Sequence, residues 1–155
     1  NTALFRYNVP ALDANVATGS LGAPGELDKL LQECNFPSVA IHASMKQEER
    51  IKMYQSFKDF KHRILVSTDI WGRGIDIERV NIVVNYDMPD SSDTYLHRVG
   101  RTGRFGKKGA ALNLIHDAKE LQVLKQIEIY FQREGLIKEI PQDADPEEFE
   151  KLLTA

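Results

Sequence analysis

The sequence predicts an α/β domain in which a parallel sheet is covered by helices on both faces. The candidate strands are short and uniformly apolar, without the alternation of a half-exposed strand, and amphipathic segments separate most of them. Strands that are buried on both faces of a parallel sheet have this composition. The chain has 155 residues, of which 42% are apolar and 28% charged, so it has the size of one globular domain with its own core.

Predicted strands and helices alternate along the chain. Short apolar runs predict strands at residues 39–41, 64–66, 81–84 and 110–115. Apolar residues at helical spacing predict helices over residues 26–34, 47–57 and 117–134, and residues 93–97 can open a further helix. Asp117 and Glu120 form a capping-box pattern at the start of the last helix. Proline and glycine interrupt residues 1–25, where we expect an irregular segment that contains at most a degraded first strand.

Charge is distributed unevenly, although the formal net charge is only −3. Residues 97–108 carry five basic and no acidic side chains, whereas residues 139–150 carry six acidic and no basic ones. A basic block of this density is typical of a phosphate or nucleic-acid interface, with a solvated basic loop as the alternative. The single cysteine, Cys34, favours a reducing compartment. We expect neither a signal peptide nor a membrane span, and the start at Asn1 rather than Met leads us to expect a piece of a longer protein.

Three segments combine side chains that could bind phosphate groups. Residues 67–76 directly follow a strand, and their hydroxyls, glycines, Arg73 and Asp76 could bind a phosphate and a sugar hydroxyl or form a tight surface turn. In residues 97–104 three arginines recur every third residue among glycines, an arrangement that suits a transferring phosphoryl group. Residues 47–50 open a helix with a glutamine and an arginine, which could hold a nucleic-acid phosphate or form a solvated first turn.

Other nucleotide and metal motifs are missing from the sequence. No segment has the spacing of a phosphate loop, because Gly106-Lys107-Lys108 lacks both the upstream glycine and the following hydroxyl residue. The histidines are scattered, and no His/Cys spacing is typical of a metal site. A chain of this composition that handles a nucleotide would therefore supply only half of the site.

Four segments follow one another in a distinctive order and spacing. They are residues 47–50 (Gln-Glu-Glu-Arg), 67–76, 84–89 (Val-Asn-Tyr-Asp-Met-Pro) and 97–104 (His-Arg-Val-Gly-Arg-Thr-Gly-Arg). Together they resemble the motifs of the C-terminal RecA-like domain of DEAD-box RNA helicases. The amino-acid sequences of residues 36–42, 57–60, 76–81 and 92–97 look most like those of the branch that acts in mRNA splicing and nuclear export. This resemblance covers residues 26–133 and implies a RecA-like parallel sheet flanked by helices on both faces.

The resemblance implies a role for each matching residue. Arg101 and Arg104 would act as arginine fingers toward an ATP that is held, with Mg²⁺, mainly by a separate N-terminal RecA-like domain. Nucleotide contacts would also include Gly74 and, through the ribose, Asp76. RNA contacts, made largely to the sugar-phosphate backbone, would come from Gln47, Arg50, Thr68, Gly72 and Arg73. Contacts between the two domains would come from Arg73, His97 and Arg98.

Three places depart from the family pattern. Residues 15–20 (Asn-Val-Ala-Thr-Gly-Ser) stand where the family has an apolar strand that ends in an RNA contact. Ala43 and Ser44 stand where the family usually has a glycine that lets the backbone approach RNA, so a side chain there is expected to weaken RNA binding. Asp69 and Trp71 are more typical of other DEAD-box branches than of the export branch.

By resemblance, we expect the C-terminal half of an ATP-dependent DEAD-box RNA helicase that unwinds short RNA duplexes or remodels ribonucleoprotein. Its RecA-like domain would span residues 26–138, followed by an acidic tail at residues 139–155. The implied partners are single-stranded RNA, the N-terminal RecA-like domain of the same protein, and splicing or mRNA-export proteins, in the nucleus with shuttling to the cytoplasm. Alone, the chain would be inactive. The alternatives are a non-catalytic RNA- or protein-binding module on a retained RecA-like fold, and the equivalent domain of a DNA helicase.

Overall fold

The computed structural model describes the elements that alternate along the chain. The described residues are 2–8, 24–42, 44–59, 61–62, 64–67, 82–100, 109–132, 135–141, 143–145, 147–149 and 151. In chain order the elements are β1 (Thr2–Asn8), α1 (Pro24–Glu33), β2 (Ser38–Ile41), α2 (Gln47–Lys58), β3 (Ile64–Ser67), β4 (Ile82–Asn85), α3 (Ser92–Val99), β5 (Gly109–Ile115), α4 (Ala118–Tyr130) and β6 (Ile137–Ile140). They belong to two compact units, a small unit (Ala14–Ile75) and a large unit (Asn1–Asp13 with Asp76–Ala155).

The described part of the large unit contains a parallel sheet of four strands in the order β4-β5-β1-β6. Thr2 pairs with Gly109 and Leu4 with Ile137, so β1 lies between two strands that come from the second half of the chain. Parallel neighbours require long connections, which here include α3 and α4. The α/β class and the parallel strand direction predicted from the sequence are thereby confirmed.

One face of this sheet is covered by α3 and α4. Ala111 of β5, Tyr95 of α3 and Ile127 of α4 form a fully buried cluster. The N-cap half of the predicted capping box is present at the start of α4, because Asp117 Oδ1 accepts a hydrogen bond from the Glu120 backbone N–H at 2.8 Å. The Glu120 carboxylate instead accepts a 2.7 Å bond from the His116 N–H, one residue before the predicted partner. This cap fixes the register at which α4 places its apolar residues against the sheet.

The opposite face of the sheet is covered by the C-terminal segment. Ala110, which neighbours Ala111 and therefore faces the other side, packs with Ile140 of β6, and Phe149 lies against this pair. Phe149 sits in a helical stretch at residues 147–149, whose start is supported by a 2.8 Å bond from the Glu148 N–H to Asp145 Oδ1. Helical structure therefore lies on both faces of the sheet, which agrees with the predicted fold class.

Two strands differ from the sequence prediction, which allows at most a degraded first strand in residues 1–25 and predicts no strand at residues 137–140. The first, β1, lies within the segment expected to be irregular, and the second, β6, spans Ile137–Ile140 at the predicted start of the acidic tail. Lys138 and Glu139 in the middle of β6 are exposed, and β6 is an edge strand of the sheet. Charged residues are typical of sheet edges, and they hide the apolar signal of a short strand. The domain limits at residues 25/26 and 138/139 stay a prediction.

Helix α4 also ends earlier than the sequence predicts. Its last residue is Tyr130, and Phe131 forms the C-cap. Gln132 has a φ of 53° and Gly135 a φ of 72°, so the chain turns through left-handed conformations before β6. The Glu128 side chain accepts a 3.1 Å bond from the Ile137 N–H and ties this turn to the start of β6.

The small unit contains the parallel pair β2 and β3 with helices α1 and α2. All four residues of β2 are buried, as expected for a strand covered on both faces. Helix α2 contributes no buried residue, and Ile51, which the sequence places on an apolar face, is 56% exposed. Within the described residues, no helix has both the length and the apolar character needed to cross a bilayer.

Candidate functional site

Those predicted site residues that the structure describes fall into two groups. Gln47 and Arg50 lie in the small unit, and His97 and Arg98 lie in the large unit. The remaining predicted positions lie outside the described residues: Thr68, Gly72, Arg73, Gly74, Asp76, Arg101 and Arg104. Each group is therefore described within its own unit.

The turn between β2 and α2 places the first group at the carboxyl end of a buried strand. After Ile41 the chain turns through a 3.2 Å bond from the Met45 N–H to the His42 carbonyl. The Ser44 hydroxyl lies 2.6 Å from His42 Nδ1. In an open α/β sheet, ligands bind beyond the carboxyl ends of strands. The turn therefore presents the start of α2 at the edge where a ligand is expected.

Gln47 and Arg50 form one polar surface on the first turn of α2. Arg50 Nη2 donates a 2.7 Å hydrogen bond to Gln47 Oε1 across this turn. Gln47 is exposed and Arg50 is half-buried. Arg50 Nε is buried and has no hydrogen-bond partner within the described part of the chain. The pair therefore offers unused N–H donors beside a helix N-terminus, where an anion is stabilised.

Arg98 is held to the end of β4 by two hydrogen bonds. Its Nη1 atom donates to the Asp87 carbonyl at 2.6 Å and to Asn85 Oδ1 at 3.2 Å. Helix α3 begins at the N-cap Ser91, whose hydroxyl accepts from the Thr94 N–H at 3.2 Å. Arg98 lies in the last turn of this helix, so its guanidinium joins the end of the helix to the end of the strand.

Gly100 ends α3 in a conformation that leaves no room for a side chain. A Cβ atom at this position would lie 2.8 Å from the Leu96 carbonyl oxygen, closer than real Cβ contacts. The same carbonyl accepts a 2.8 Å bond from the Gly100 N–H. His97, on the same turn, is exposed. The helix thus stops immediately before the arginine-rich residues 101–104, with the imidazole of His97 accessible.

Three further polar residues extend inward from Arg98. Asn85 and Asn113 are 1% and 0% exposed, and Asn85 Nδ2 donates to Asn113 Oδ1 at 2.7 Å. Asn113 Nδ2 donates to the Tyr95 hydroxyl at 3.1 Å. Burial raises the pKa of Tyr95 to about 12, with the nearby Glu128 charge adding to the effect and the Asn113 hydrogen bond opposing it. The phenol is therefore neutral across the physiological range.

Sequence reasoning missed this buried polar chain as part of the site. Asn85 lies in the matching segment at residues 84–89, but the motif does not link it to Asn113 or Tyr95. A usable signal exists, because each of two neighbouring apolar strands contains one asparagine. Buried polar side chains normally have hydrogen-bond partners, so an asparagine in each of two neighbouring buried strands predicts that the two side chains are bonded to each other.

The donors described in each unit fit phosphate groups. In the small unit, Gln47 and Arg50 contribute an amide and a guanidinium at a helix N-terminus, and in the large unit Arg98 contributes a guanidinium. Groups of these kinds suit anionic oxygens. Among the described residues, no group of three or more His, Cys, Asp or Glu side chains could hold a metal ion. The side chains expected to face a nucleotide, Asp76, Arg101 and Arg104, lie outside the described residues.

The sequence of this chain is similar to those of known helicases. The family model "Helicase conserved C-terminal domain" matches residues 18–106. DEAD-box ATP-dependent RNA helicase 15 of Arabidopsis thaliana is 56% identical over 138 residues, covering 87% of this chain and 32% of that protein. ATP-dependent RNA helicase uap56 of Schizosaccharomyces pombe is 58% identical over 126 residues, covering 81% and 29%. The chain thus spans about a third of the length of these relatives.

Solved structures of DEAD-box proteins share the fold. Saccharomyces cerevisiae Dbp5 bound to RNA and ADP BeF3 superposes with a TM-score of 0.77 and 30% identity, covering 98% of this chain and 38% of that one. Escherichia coli SrmB bound to the regulator of ribonuclease activity A gives a TM-score of 0.73 and 32% identity, covering 92% and 76%. The RecA-like helicase fold predicted from the sequence is confirmed by these similarities.

Proposed function

This chain belongs to the helicase C-terminal domain family, and from that premise we propose that it is the second RecA-like domain of an ATP-dependent DEAD-box RNA helicase. The enzyme would unwind short RNA duplexes or remodel ribonucleoprotein. The observation that carries the proposal is the pair of hydrogen bonds from Arg98 to Asn85 and to the Asp87 carbonyl. These bonds fix the last turn of α3 directly before the arginine-rich residues 101–104. Similarity to uap56 and to SUB2 proteins supports a role in mRNA splicing or export in the nucleus. Shuttling to the cytoplasm is a further part of this proposal.

In this proposal Arg101 and Arg104 face the γ-phosphate when the two helicase domains close. ATP bound with Mg²⁺, held mainly by the N-terminal domain, supplies the phosphoryl group that is transferred to water. Gly74 and Asp76 contact the nucleotide, Asp76 through the ribose. His97 and Arg98 belong to the face that meets the other domain, together with Arg73. Because guanidinium charge would reach the phosphate only on closure, hydrolysis would be coupled to domain docking.

Gln47 and Arg50 form the RNA-binding part of the proposal. Their donors lie on one turn of α2, where the exposed Gln47 amide and the half-buried Arg50 guanidinium would donate to an RNA phosphate. Thr68, Gly72 and Arg73 complete the proposed RNA contacts. Contacts of this kind do not depend on base sequence and weaken with salt.

ATP hydrolysis by the full-length protein tests the arginine fingers. RNA-stimulated kcat of an Arg101→Ala/Arg104→Ala variant is expected to fall by about 10³-fold, since arginine fingers contribute 10³ or more to turnover. The matched control is Lys107→Ala/Lys108→Ala, which removes the same charge from the neighbouring basic positions. Equal loss in both variants would mean that the block acts only through its charge.

Salt dependence of RNA binding tests Arg50. Arg50→Ala is expected to weaken binding to single-stranded RNA and to reduce the slope of log K against log salt by about 1, because one phosphate contact is lost. Lys58→Ala removes an exposed charge at the other end of the same helix and serves as the control. An unchanged slope for Arg50→Ala would show that its guanidinium does not contact phosphate.

A non-catalytic RNA- or protein-binding module is the second candidate. The observation that favours it is the Ser44 hydroxyl, which lies 2.6 Å from His42 in a turn where the family usually has a glycine. The two candidates differ in one measurement. When the 155-residue chain is mixed with an N-terminal RecA-like domain, RNA-stimulated ATP turnover supports the helicase. RNA binding without turnover in the mixture, and in the full-length protein, supports the module.

A further inference from the structure

Two asparagines lie side by side inside the sheet of the large unit. Asn85 and Asn113 occupy paired positions on the neighbouring parallel strands β4 and β5, and they are 1% and 0% exposed. Asn85 Nδ2 donates to Asn113 Oδ1 at 2.7 Å. Burying an amide without hydrogen-bond partners lowers the stability of the fold. The two remaining polar side-chain atoms, Asn85 Oδ1 and Asn113 Nδ2, therefore need partners as well. Two such partners, Arg98 and Tyr95, come from helix α3.

The order of donors and acceptors gives each amide one orientation. Arg98 can only donate, so the atom of Asn85 that faces it must be Oδ1, at 3.2 Å. Asn85 Nδ2 then faces Asn113, which must turn its own Oδ1 toward Asn85. Asn113 Nδ2 is left to donate to the Tyr95 hydroxyl at 3.1 Å. One continuous line of hydrogen bonds therefore runs from the buried Tyr95 to the guanidinium of Arg98.

We propose that Asn113 is a positioning residue for the arginine fingers, an inference that rests on the helicase function proposed above. Asn113 orients Asn85, Asn85 orients Arg98, and Arg98 fixes the last turn of α3, which directly precedes Arg101 and Arg104. Asn113 lies in the core on β5 and touches none of the reacting atoms. It acts through Arg98 alone.

The hydrogen bonds that link Tyr95, Asn113, Asn85 and Arg98 fix the positions of these side chains more than they improve the packing of the core. An apolar residue at position 113 would fill the strand without needing any partner, as the neighbouring Leu112 and Leu114 do. A buried chain of polar groups is tolerated only when all its members are paired, and it then permits one arrangement. A single arrangement of this kind keeps the Arg98 guanidinium in one position at the end of β4.

Four variants of the full-length protein separate positioning from stability. Asn113→Ala removes the hydrogen bonds to Asn85 and Tyr95, and Asn113→Thr keeps most of the volume but is too short to reach both of these residues. Asn113→Asp keeps both contacts, because one oxygen accepts from Asn85 and the other meets the Tyr95 hydroxyl as acceptor or, when protonated, as donor. Ile127→Val, in the buried cluster beside Tyr95, loosens the same core without touching the network.

The first readout is RNA-stimulated ATP turnover. Asn113→Ala and Asn113→Thr are expected to lower kcat about tenfold through misplacement of the fingers, with KM for ATP and RNA within about twofold. Asn113→Asp and Ile127→Val should retain kcat, whatever their thermal midpoints. In an Arg98→Ala background, Asn113→Ala should cause no further fall, because the two residues act in series.

The second readout needs no nucleotide. Hydrogen exchange of the backbone amides in the last turn of α3, including the Gly100 N–H that bonds to Leu96, should be faster in Asn113→Ala and Asn113→Thr only. Unchanged kcat and exchange in these variants would overturn the inference, as would an equal further loss of kcat in the Arg98→Ala background. Absence of RNA-stimulated turnover in the unsubstituted protein would instead reject the proposed function, and the positioning role would fall with it.

Discussion

Raising the pH through the alkaline range should destabilise the large unit through Tyr95. The Tyr95 side chain is fully buried, and its pKa is raised from 10.0 to about 12, chiefly by that burial. Below about pH 10 both folded and unfolded states keep the phenolic proton, so the full stability is present. Between pH 10 and 12 the unfolded state releases its proton first, and the free energy of unfolding falls. Two pKa units correspond to a loss of about 2.7 kcal/mol.

Urea unfolding of wild type and Tyr95→Phe, followed by circular dichroism at several pH values, measures this loss. Near pH 8 the variant should be less stable by about 1–3 kcal/mol, because the buried Asn113 Nδ2 loses its acceptor. This difference should shrink steadily above about pH 10 as the wild type alone loses the Tyr95 contribution. Tyr130→Phe, at a tyrosine that is 56% exposed, is the control. Parallel curves for wild type and Tyr95→Phe would refute the reasoning.

Three smaller predictions concern folding of the large unit, each measured by urea or thermal unfolding. Gly100→Ala should lower the free energy of unfolding by about 1 kcal/mol net, because its Cβ would lie 2.8 Å from the Leu96 carbonyl oxygen and the helix end must shift. A variant as stable as the wild type, or more stable, would contradict the observed close approach. Asp117→Ala should cost about 1 kcal/mol by leaving the Glu120 N–H without its cap, with Asp117→Asn as the tolerated control. Phe149→Ala should cost about 1–2 kcal/mol by exposing the second face of the sheet, whereas no change would mean that the C-terminal segment is only a solvated tail.

Much of the fold could be predicted because its strong signals are local. The run at residues 39–41 is buried in β2, and Asp117 caps α4 as its sequence predicts. The regular strand β1 and the strand β6 escaped prediction for a physical reason. Strand β1 pairs with β5 and with β6 across most of the chain, and exposed charges at Lys138 and Glu139 break the apolar pattern of β6.

The candidate site shows the same division between local and distant contacts. The bond between Gln47 and Arg50 spans one helical turn, so motif spacing alone could place it. The anchor of Arg98 depends on Asn85, and Asn85 depends on Asn113, which is 28 positions away in the sequence. Such a contact is created by strand pairing, and the sequence signals it only through the single asparagine that each of the two apolar strands contains. The positions of Arg101 and Arg104 stay a prediction because they lie outside the described residues.

The central position of β1 has a consequence for synthesis on the ribosome. Thr2 pairs with Gly109 and Tyr7 with Ile140, so the earliest part of this chain to emerge waits for its two neighbours until almost all of it has been translated. Contacts with this sequence separation are slow to form. Nascent β1 therefore presents two unpaired edges until β5 and β6 have been translated, and over that interval it is open to strand pairing with other chains.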